Sequence, residues 1–267
     1  MAQARSVLLI LVDGMRPDAL MAARAPTMQR LVRAGAATLR SRTIIPSVTL
    51  PCHTTLFYGV SPARHGITDN VWHPMARPVP SLFDVVWRAR RRTAMFYNWG
   101  ELRDVCAPSS LDESHLIAYE RTEGDISDQR TFALAAEWIR ANPGFGLAFA
   151  YYGMVDMTGH SDGWMSQGYM DRVADADRAV ARAVAAMPED GLIVLTADHG
   201  GHGKTHGTDS AEDMTVPLAF CGPAAAAGRD LGETSILDIA PTIAAYLGIE
   251  RPRDWEGRAL ALCGGAA

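Results

Sequence analysis

The sequence predicts an α/β protein, a doubly wound and mostly parallel central sheet with helices on both faces. Two observations point there. Short β-rich runs alternate with longer segments of helical period, and most of the runs are apolar, as strands covered on both faces must be. A third observation concerns function: several runs end on polar, metal-binding residue types, at the carboxyl strand ends where such sheets bind ligands.

In chain order, Val7–Val12 reads as a buried strand. Its apolar run is far shorter than the roughly 20 residues a membrane helix needs, and no small-residue cleavage site follows it. Helical period then covers Pro17–Ala34, followed by a strand at Thr38–Ile44 and a helix at Pro51–Tyr58, whose proline suits a first helical turn. Next come a helix at Ser81–Arg90, a strand at Thr93–Tyr97, a helix at Asp125–Ala141 and a strand at Leu147–Tyr151. The chain closes with a helix at Met165–Ala186, strands at Leu192–Thr196 and Leu218–Cys221, and a helix at Ser235–Leu247. The Ala-rich stretch Pro223–Gly228 reads as a surface loop.

With 267 residues, 48% of them hydrophobic, the chain has enough apolar material for a large core, which excludes disorder and a disulfide-dependent mini-protein. Without a repeat or a Ser/Gly-rich linker, one domain over residues 1–267 is the simplest organisation. Cys52, Cys106, Cys221 and Cys263 form no C-x-x-C pair, so reduced thiols and a cytoplasmic location are expected. A net charge of −5 gives no electrostatic footprint for a nucleic acid polymer. No membrane contact is expected either, and the oligomeric state is open.

Val7–Val12 runs into Asp13-Gly14, Leu147–Tyr151 leads to Asp156 and His160, and Leu192–Thr196 leads to Asp198-His199-Gly200. His199, His202 and His206 share one loop with Gly200, Gly201, Gly203 and Gly207, which would let the backbone wrap closely round an ion. An Asp-Gly turn alone is ordinarily structural. Together, these carboxylates and imidazoles suit Zn²⁺ or Mn²⁺ better than Ca²⁺, and they are numerous enough for two ions. A pair of ions is a clamp for in-line displacement at phosphorus, and the clamp needs a nucleophile. Thr49, just ahead of Pro51 at a helix start, is the candidate, because a helix N-terminus favours an alkoxide and an incoming phosphate. Its alternative role is a helix N-cap. Ser47, Thr54 and Thr55 read as cap or packing residues, and Cys52 as a small packing residue rather than a metal-adjacent thiol.

These blocks resemble the nucleotide pyrophosphatase/phosphodiesterase family of the alkaline phosphatase superfamily. Asp13-Gly14-Met15-Arg16-Pro17-Asp18 is similar to its first metal block, and Pro46 through Thr49, Pro51, His53 and Gly59 to His65-Gly66-Ile67-Thr68-Asp69-Asn70 is similar to its nucleophile block. Asp156, Gly159, His160 and Gly163 match D-x-x-G-H-x-x-G, and Asp198-His199-Gly200 with His206-Gly207-Thr208-Asp209-Ser210 and Met214 matches the closing blocks. The resemblance implies that Asp13, Thr49, Asp198 and His199 hold the ion that activates the threonine, and that Asp156, His160 and His206 hold a second. It also implies that Asn70 binds a phosphoryl oxygen and that a phosphothreonine forms and is then hydrolysed. A threonine hydroxyl is too weakly acidic to ionise unaided, so activation by a dication fits the chemistry.

Several features depart from the family. Only seven positions separate His199 from His206, where the nucleotide pyrophosphatases carry a long insertion. Leu50 stands where those enzymes often place a base-stacking aromatic, so Trp72, Trp99 and Tyr119 are the other aromatic candidates, with packing as their favoured role. His202 is open to three readings: a ligand replacing His206, a leaving-group contact, or a solvent-facing residue. Lys204 reads as a solvated loop lysine, His53 and His65 as hydrogen-bonding supports of the nucleophile block, and Arg16 with Asp18 as a brace. A sulfatase is disfavoured because threonine cannot give a formylglycine. Mutases of the superfamily generally carry a cap domain for which there is little spare length. The expected activity is hydrolysis of a small phosphodiester, with a phosphomonoester or phosphonate hydrolase and a non-catalytic metal-binding module as alternatives.

Overall fold

The computed structural model describes residues 5–118 and 126–263. Its first elements are β1 (Val7–Val12), α1 (Pro17–Ala22), α2 (Pro26–Ala34), β2 (Ala36–Arg42), α3 (Thr49–Tyr58), α4 (Pro62–His65) and α5 (Leu82–Arg88). β3 (Thr93–Tyr97), β4 (Glu113–Leu116), α6 (Ser127–Ala141), β5 (Leu147–Tyr152), α7 (Met154–Asp162) and α8 (Gln167–Val184) follow. The last are β6 (Leu192–Thr196), α9 (Ala211–Met214), β7 (Thr215–Cys221), β8 (Arg229–Asp230), β9 (Thr234–Ser235) and α10 (Ile239–Leu247).

The strands form one sheet of nine in the order β4-β3-β5-β1-β6-β7-β2-β8, with β9 also paired to β2. β1 lies at its centre, parallel to β5 and β6, while β7 runs antiparallel to both of its neighbours. Every residue of β1, β3, β5 and β6 is buried, because helices cover both faces. One layer contains α2, α6 and α8, the other α3, α5 and α10. The expected mostly parallel α/β sheet is therefore the observed one. No helix among the described residues is long and apolar enough to cross a membrane, and all four cysteines are free thiols.

Local differences from the expected elements have identifiable causes. The expected helix Pro17–Ala34 is two helices, because Pro26 excludes Ala25 from helical geometry, and Ala25 sits at φ −121° and ψ 60°. Ser166 caps α8 through its side chain, and Met165, expected to be helical, takes φ +67° outside it. β4 is a polar edge strand, half-buried and exposed by turns, so no apolar run marked it. The start of the helix expected at Asp125 lies outside the described residues; α6 is described from Ser127. Asp156 and His160, expected beyond the end of the Leu147–Tyr151 strand, sit one turn apart on α7.

Candidate metal centre

Because β1 and β6 are parallel neighbours, the residues that leave their carboxyl ends must meet. Asp13 follows β1 directly, and Asp198 follows β6 by two positions. The Gly14 N–H donates to Asp198 Oδ1 at 3.2 Å. On the other side of β1, β5 leads into α7, whose first N–H groups, of Gly153 and Met154, donate to the buried Asp128 carboxylate at 2.8 and 3.1 Å. That anchor fixes the helix carrying Asp156 and His160. Gly14 stands between the two sides. It has φ +67°, and a Cβ on it would lie 3.0 Å from the Asp156 side chain, so only glycine fits there.

The imidazoles are oriented by the main chain. His199 Nδ1 lies 2.8 Å from the Gly200 carbonyl, His206 Nδ1 2.8 Å from that of Ser47, and His160 Nδ1 3.0 Å from that of Lys204. A carbonyl only accepts, so each Nδ1 carries the proton and each Nε2 presents a bare lone pair. Around His199 Nε2 lie Thr49 Oγ1 at 3.2 Å, Asp13 Oδ1 at 3.3 Å and Asp198 Oδ2 at 3.3 Å. Around the Asp156 carboxylate lie His160 Nε2 at 3.4 Å and His206 Nε2 at 3.6 Å. Asp13 Oδ1, Asp156 Oδ1 and Asp198 Oδ2 are buried without a hydrogen-bond partner.

Buried acceptors that face one another without a donor repel, and each lost partner costs on the order of 1–3 kcal/mol or more. The remedy is a cation. For tetrahedral ligands about 2.0–2.1 Å from a zinc ion, neighbouring donor atoms are about 3.3 Å apart, close to the separations around His199 Nε2. The residues therefore fit divalent ions. Among the described residues, two groups of three donor atoms lie within 4.8 Å of one another, Asp13 with Asp198 and His199, and Asp156 with His199 and His206. Thr49 abuts the first and His160 the second, while His199 borders both.

Burial pushes the Asp13 carboxyl well above the usual carboxylate range, and the neighbouring Asp198 and Asp156 charges add to the effect. Burial also raises Asp198, against the opposing pull of His53. It lowers His199 and His206, the latter also through the neighbouring His199. Without a cation, then, the carboxyls resist ionising and the imidazoles resist protonation.

Thr49 is the first residue of α3. Val48 occupies the cap position and no side chain caps the helix, so the N-cap alternative for Thr49 fails. Asn70 Oδ1 accepts from the Leu50 N–H at 3.0 Å, which ties Asn70 to the start of α3, and Asn70 lines the cleft. His53 Nδ1 donates to the Thr49 carbonyl at 2.8 Å, within 3.6 Å of Asp198 Oδ2. Ser47 Oγ donates to the Thr208 carbonyl, and Thr54 Oγ1 to that of Leu50. Arg16 grips Asp18 with two nitrogens and reaches the Gly201 carbonyl. His202 Nδ1 lies 2.7 Å from Asp213 Oδ1, so it braces its own loop; Lys204 Nζ donates to the Ser161 carbonyl. Cys52 packs with its thiol beside Thr43, pushed up by burial. Leu50 is fully buried and does not border the cleft.

His65 supports the same segment. The Ile67 N–H donates to its Nδ1 at 3.0 Å, so Nε2 carries the proton and donates to Thr55 Oγ1 at 3.0 Å. Burial holds this imidazole down at about 4. Because the folded value is depressed, stability is intact above the unfolded value of about 6.5 and is lost as pH falls from there towards 4. The expected result is that His65→Gln flattens the dependence of unfolding free energy on pH between 4.5 and 6, by up to about 1.4 kcal/mol per pH unit, as read by urea titrations.

The cleft has a volume of about 460 Å³ and reaches from Asp13 and Thr49 to Trp99 and Glu101. Trp72 packs against the core, and Tyr119 lies outside the described residues. Sequence reasoning missed Tyr151, whose hydroxyl donates to Asp13 Oδ2, and Asp128. Its only sequence cue was a tyrosine next to the strand end.

The profile of the type I phosphodiesterase / nucleotide pyrophosphatase family matches residues 7–215, which takes in both donor groups and Thr49. The chain belongs to this family. Among curated proteins, this family member is 40% identical over 91 residues to a phosphopentomutase of Deinococcus radiodurans, covering 34% of the chain and 22% of the relative. It is 29% identical over 177 residues to a 2,3-bisphosphoglycerate-independent phosphoglycerate mutase of Ruegeria sp., covering 62% of the chain and 33% of the relative. The chain thus spans about a fifth to a third of the length of these relatives. Among solved structures, a murine ectonucleotide pyrophosphatase/phosphodiesterase 5, an inactive variant in complex with AMP, superposes with a TM-score of 0.78 at 16% identity, covering 93% of this chain and 96% of that one. A 2-O GAG sulfatase gives 0.77 at 15% identity, covering 97% and 74%. These structural likenesses are of fold, that of the alkaline phosphatase superfamily.

Proposed function

We propose that this chain is a metal-dependent hydrolase of small phosphodiesters that works through a phosphothreonine at Thr49. The observation that carries the reading is the convergence of two unpartnered carboxylate oxygens on the bare His199 Nε2, with the Thr49 hydroxyl 3.2 Å from that same nitrogen. Asp13, Asp198 and His199 with Thr49 would hold one divalent ion, and Asp156, His160 and His206 a second; zinc suits this donor set best and manganese is acceptable. When bound, such ions supply positive charge that lowers the hydroxyl pKa and neutralises phosphoryl oxygens.

The chain's own residues do the rest. The bond from His53 Nδ1 to the Thr49 carbonyl holds the first turn of α3 in place, so Oγ1 stays fixed beside His199. Thr49 Oγ1 attacks phosphorus and expels one ester oxygen, and water later cleaves the phosphothreonine, returning the hydroxyl. The Asn70 amide nitrogen donates to a phosphoryl oxygen, which helps to stabilise the charge that develops in transfer.

The test is hydrolysis of an aryl phosphodiester and an aryl phosphomonoester by metal-loaded protein, with Thr49→Ala as the control. Diester turnover that depends on both metal and Thr49 supports the reading. A second reading, transfer from or hydrolysis of phosphomonoesters, draws on the mutase relatives and would appear as monoester preference. A phosphonate hydrolase is the corresponding alternative for a P–C substrate. Absence of turnover with ions bound would favour a non-catalytic metal-binding module. The free cysteines support a reducing, cytoplasmic setting, and the same reading treats residues 1–267 as one metallohydrolase domain.

Tyr151 provides a further check. Its hydroxyl occupies Asp13 Oδ2 and leaves Oδ1 facing His199. Tyr151→Phe is expected to weaken metal affinity by about 10–100-fold, measured by competition with a chromogenic chelator, with the circular dichroism spectrum unchanged.

A further inference from the structure

A net charge of −5 hides where the charges stand along the strand axis. The helices return against the parallel strands, so their last turns lie at the amino ends of the strands, about 20 Å from the cleft at a rise of about 3.3 Å per residue. Arginines collect at that end, where β3, β5 and β1 begin. Arg88 is in the last turn of α5 and Arg140 in that of α6; Arg90, Arg91 and Arg92 form the turn into β3, and Arg5 precedes β1. Backbone bonds join these segments: the Val7 N–H donates to the Gly146 carbonyl at 3.0 Å, and the Gly146 N–H to that of Arg92 at 2.8 Å. Arg91 Nη1 donates to the Arg5 carbonyl at 3.0 Å. An arginine in a last helical turn also complements the helix dipole, which accounts for Arg88 and Arg140 but not for the turn or for Arg5. Five of the six are exposed and Arg91 is half-buried. Among the described residues only Arg92 has an ion-pair partner, Glu113 at 3.4 Å. The acids on the same segments, Glu113, Glu137, Glu189 and Asp190, are fewer, so positive charge is in excess on a chain whose total is negative. Arg90 is held at φ +59°, in the left-handed region where glycine or asparagine is the ordinary occupant. Trp87, also in the last turn of α5, is 38% exposed and takes no place in the core. Its carbonyl accepts from the Arg90 N–H at 2.8 Å, so the indole and the guanidiniums share one end of the molecule.

A cluster of guanidiniums beside one exposed indole suits an anionic surface with an apolar layer beneath it. Single-stranded nucleic acid needs successive stacking platforms along a groove, whereas here a single ring stands in a patch that caps neighbouring strand ends. We propose that this end of the molecule is a docking surface for an anionic phospholipid bilayer, with the arginines on lipid phosphates and carboxylates and Trp87 in the headgroup layer. Such peripheral attachment needs no spanning helix and depends on a local patch, not on net charge. The proposal replaces the expectation of no membrane contact. With this end on the bilayer, the cleft at the opposite end of the sheet faces the aqueous phase and stays open to soluble substrates.

The experiment is co-sedimentation of zinc-loaded protein with vesicles of phosphatidylcholine alone or with about 30% phosphatidylserine. Binding is expected only to the anionic vesicles and is expected to fall by about tenfold or more when salt rises from about 0.05 to about 0.5 M. Each arginine at an anionic surface strengthens binding about fivefold, so Arg88→Gln with Arg90→Gln is expected to weaken the partition coefficient by about 25-fold. Trp87→Ala is expected to weaken it about fivefold, for roughly 40 Å² of indole no longer withdrawn from water. Arg24→Gln with Arg103→Gln removes the same charge from the cleft end of the molecule and is expected to leave binding nearly unchanged. All these side chains are exposed, and unchanged thermal midpoints verify that each variant is folded. An equal loss from the two arginine pairs, equal binding to the neutral vesicles, or no binding at low salt would overturn the proposal. Retention of a single-stranded oligonucleotide through Arg88 and Arg90, without vesicle binding, would overturn it in favour of nucleic acid. Binding is read without turnover, so its failure leaves the hydrolase reading untouched, and an inactive protein that still binds vesicles leaves the docking surface standing.

Discussion

Thr49→Ala is expected to lower kcat for an aryl phosphodiester by at least about 10³-fold, because it removes the hydroxyl that the proposed mechanism uses to attack phosphorus. Metal content and thermal midpoint are expected to change little. Thr49 contributes one oxygen to its donor group, and the other donors are set by β1 and β6. Steady-state kinetics beside elemental measurement on the same preparation checks both statements. Thr49→Ser, which keeps an oxygen in place, is expected to retain measurable turnover. Full metal-dependent activity in Thr49→Ala would sink the proposed mechanism.

The second large effect is on stability. Stripping the ions leaves Asp13, Asp156 and Asp198 with buried oxygens that have no partner. Loading with free zinc at about 1,000 times its dissociation constant adds about 4 kcal/mol, on the order of 10 °C in midpoint for a chain of this size. The pH dependence follows from the raised carboxyls. Ions take the ionised forms, so protons compete wherever the folded carboxyls still hold them. The depressed imidazoles of His199 and His206 offer little such competition. The gap between loaded and stripped midpoints is therefore expected to widen as pH rises through the elevated Asp13 and Asp198 values and to level off above them. In the stripped protein alone the sign is the reverse. Raised folded carboxyl values mean that stability is lost as pH rises above the unfolded value of about 3.9. Scanning fluorimetry of paired loaded and chelated samples reads both trends, and an unchanged midpoint on loading would contradict the metal centre.

Much of the site was legible because it hangs on the most legible strands. The apolar runs of β1 and β6 were legible as buried strands, and their parallel pairing in the sheet brings Asp13 and Asp198 together. α7 was not read because Met154-Val155-Asp156-Met157-Thr158-Gly159-His160-Ser161-Asp162 has no clear apolar stripe, although the four-residue step from Asp156 to His160 is itself a helical spacing. β4, β8 and β9 are short or polar edges, for which burial leaves no pattern. Tyr151 was hidden for another reason. In a strand covered on both faces, nothing in the local sequence says which hydroxyl meets a carboxylate 138 positions away.

Gly14 holds a position no other residue could take. Its N–H grips Asp198, its carbonyl receives the Trp164 indole and the Tyr169 hydroxyl, and its missing side chain makes way for Asp156. The gauge between the two halves of the centre is thus set by backbone and a hydrogen atom, not by any group that contacts an ester. Outer walls can be rebuilt residue by residue while that gauge stays constant, so related chains can inherit one inner mechanism and still differ in what they cleave.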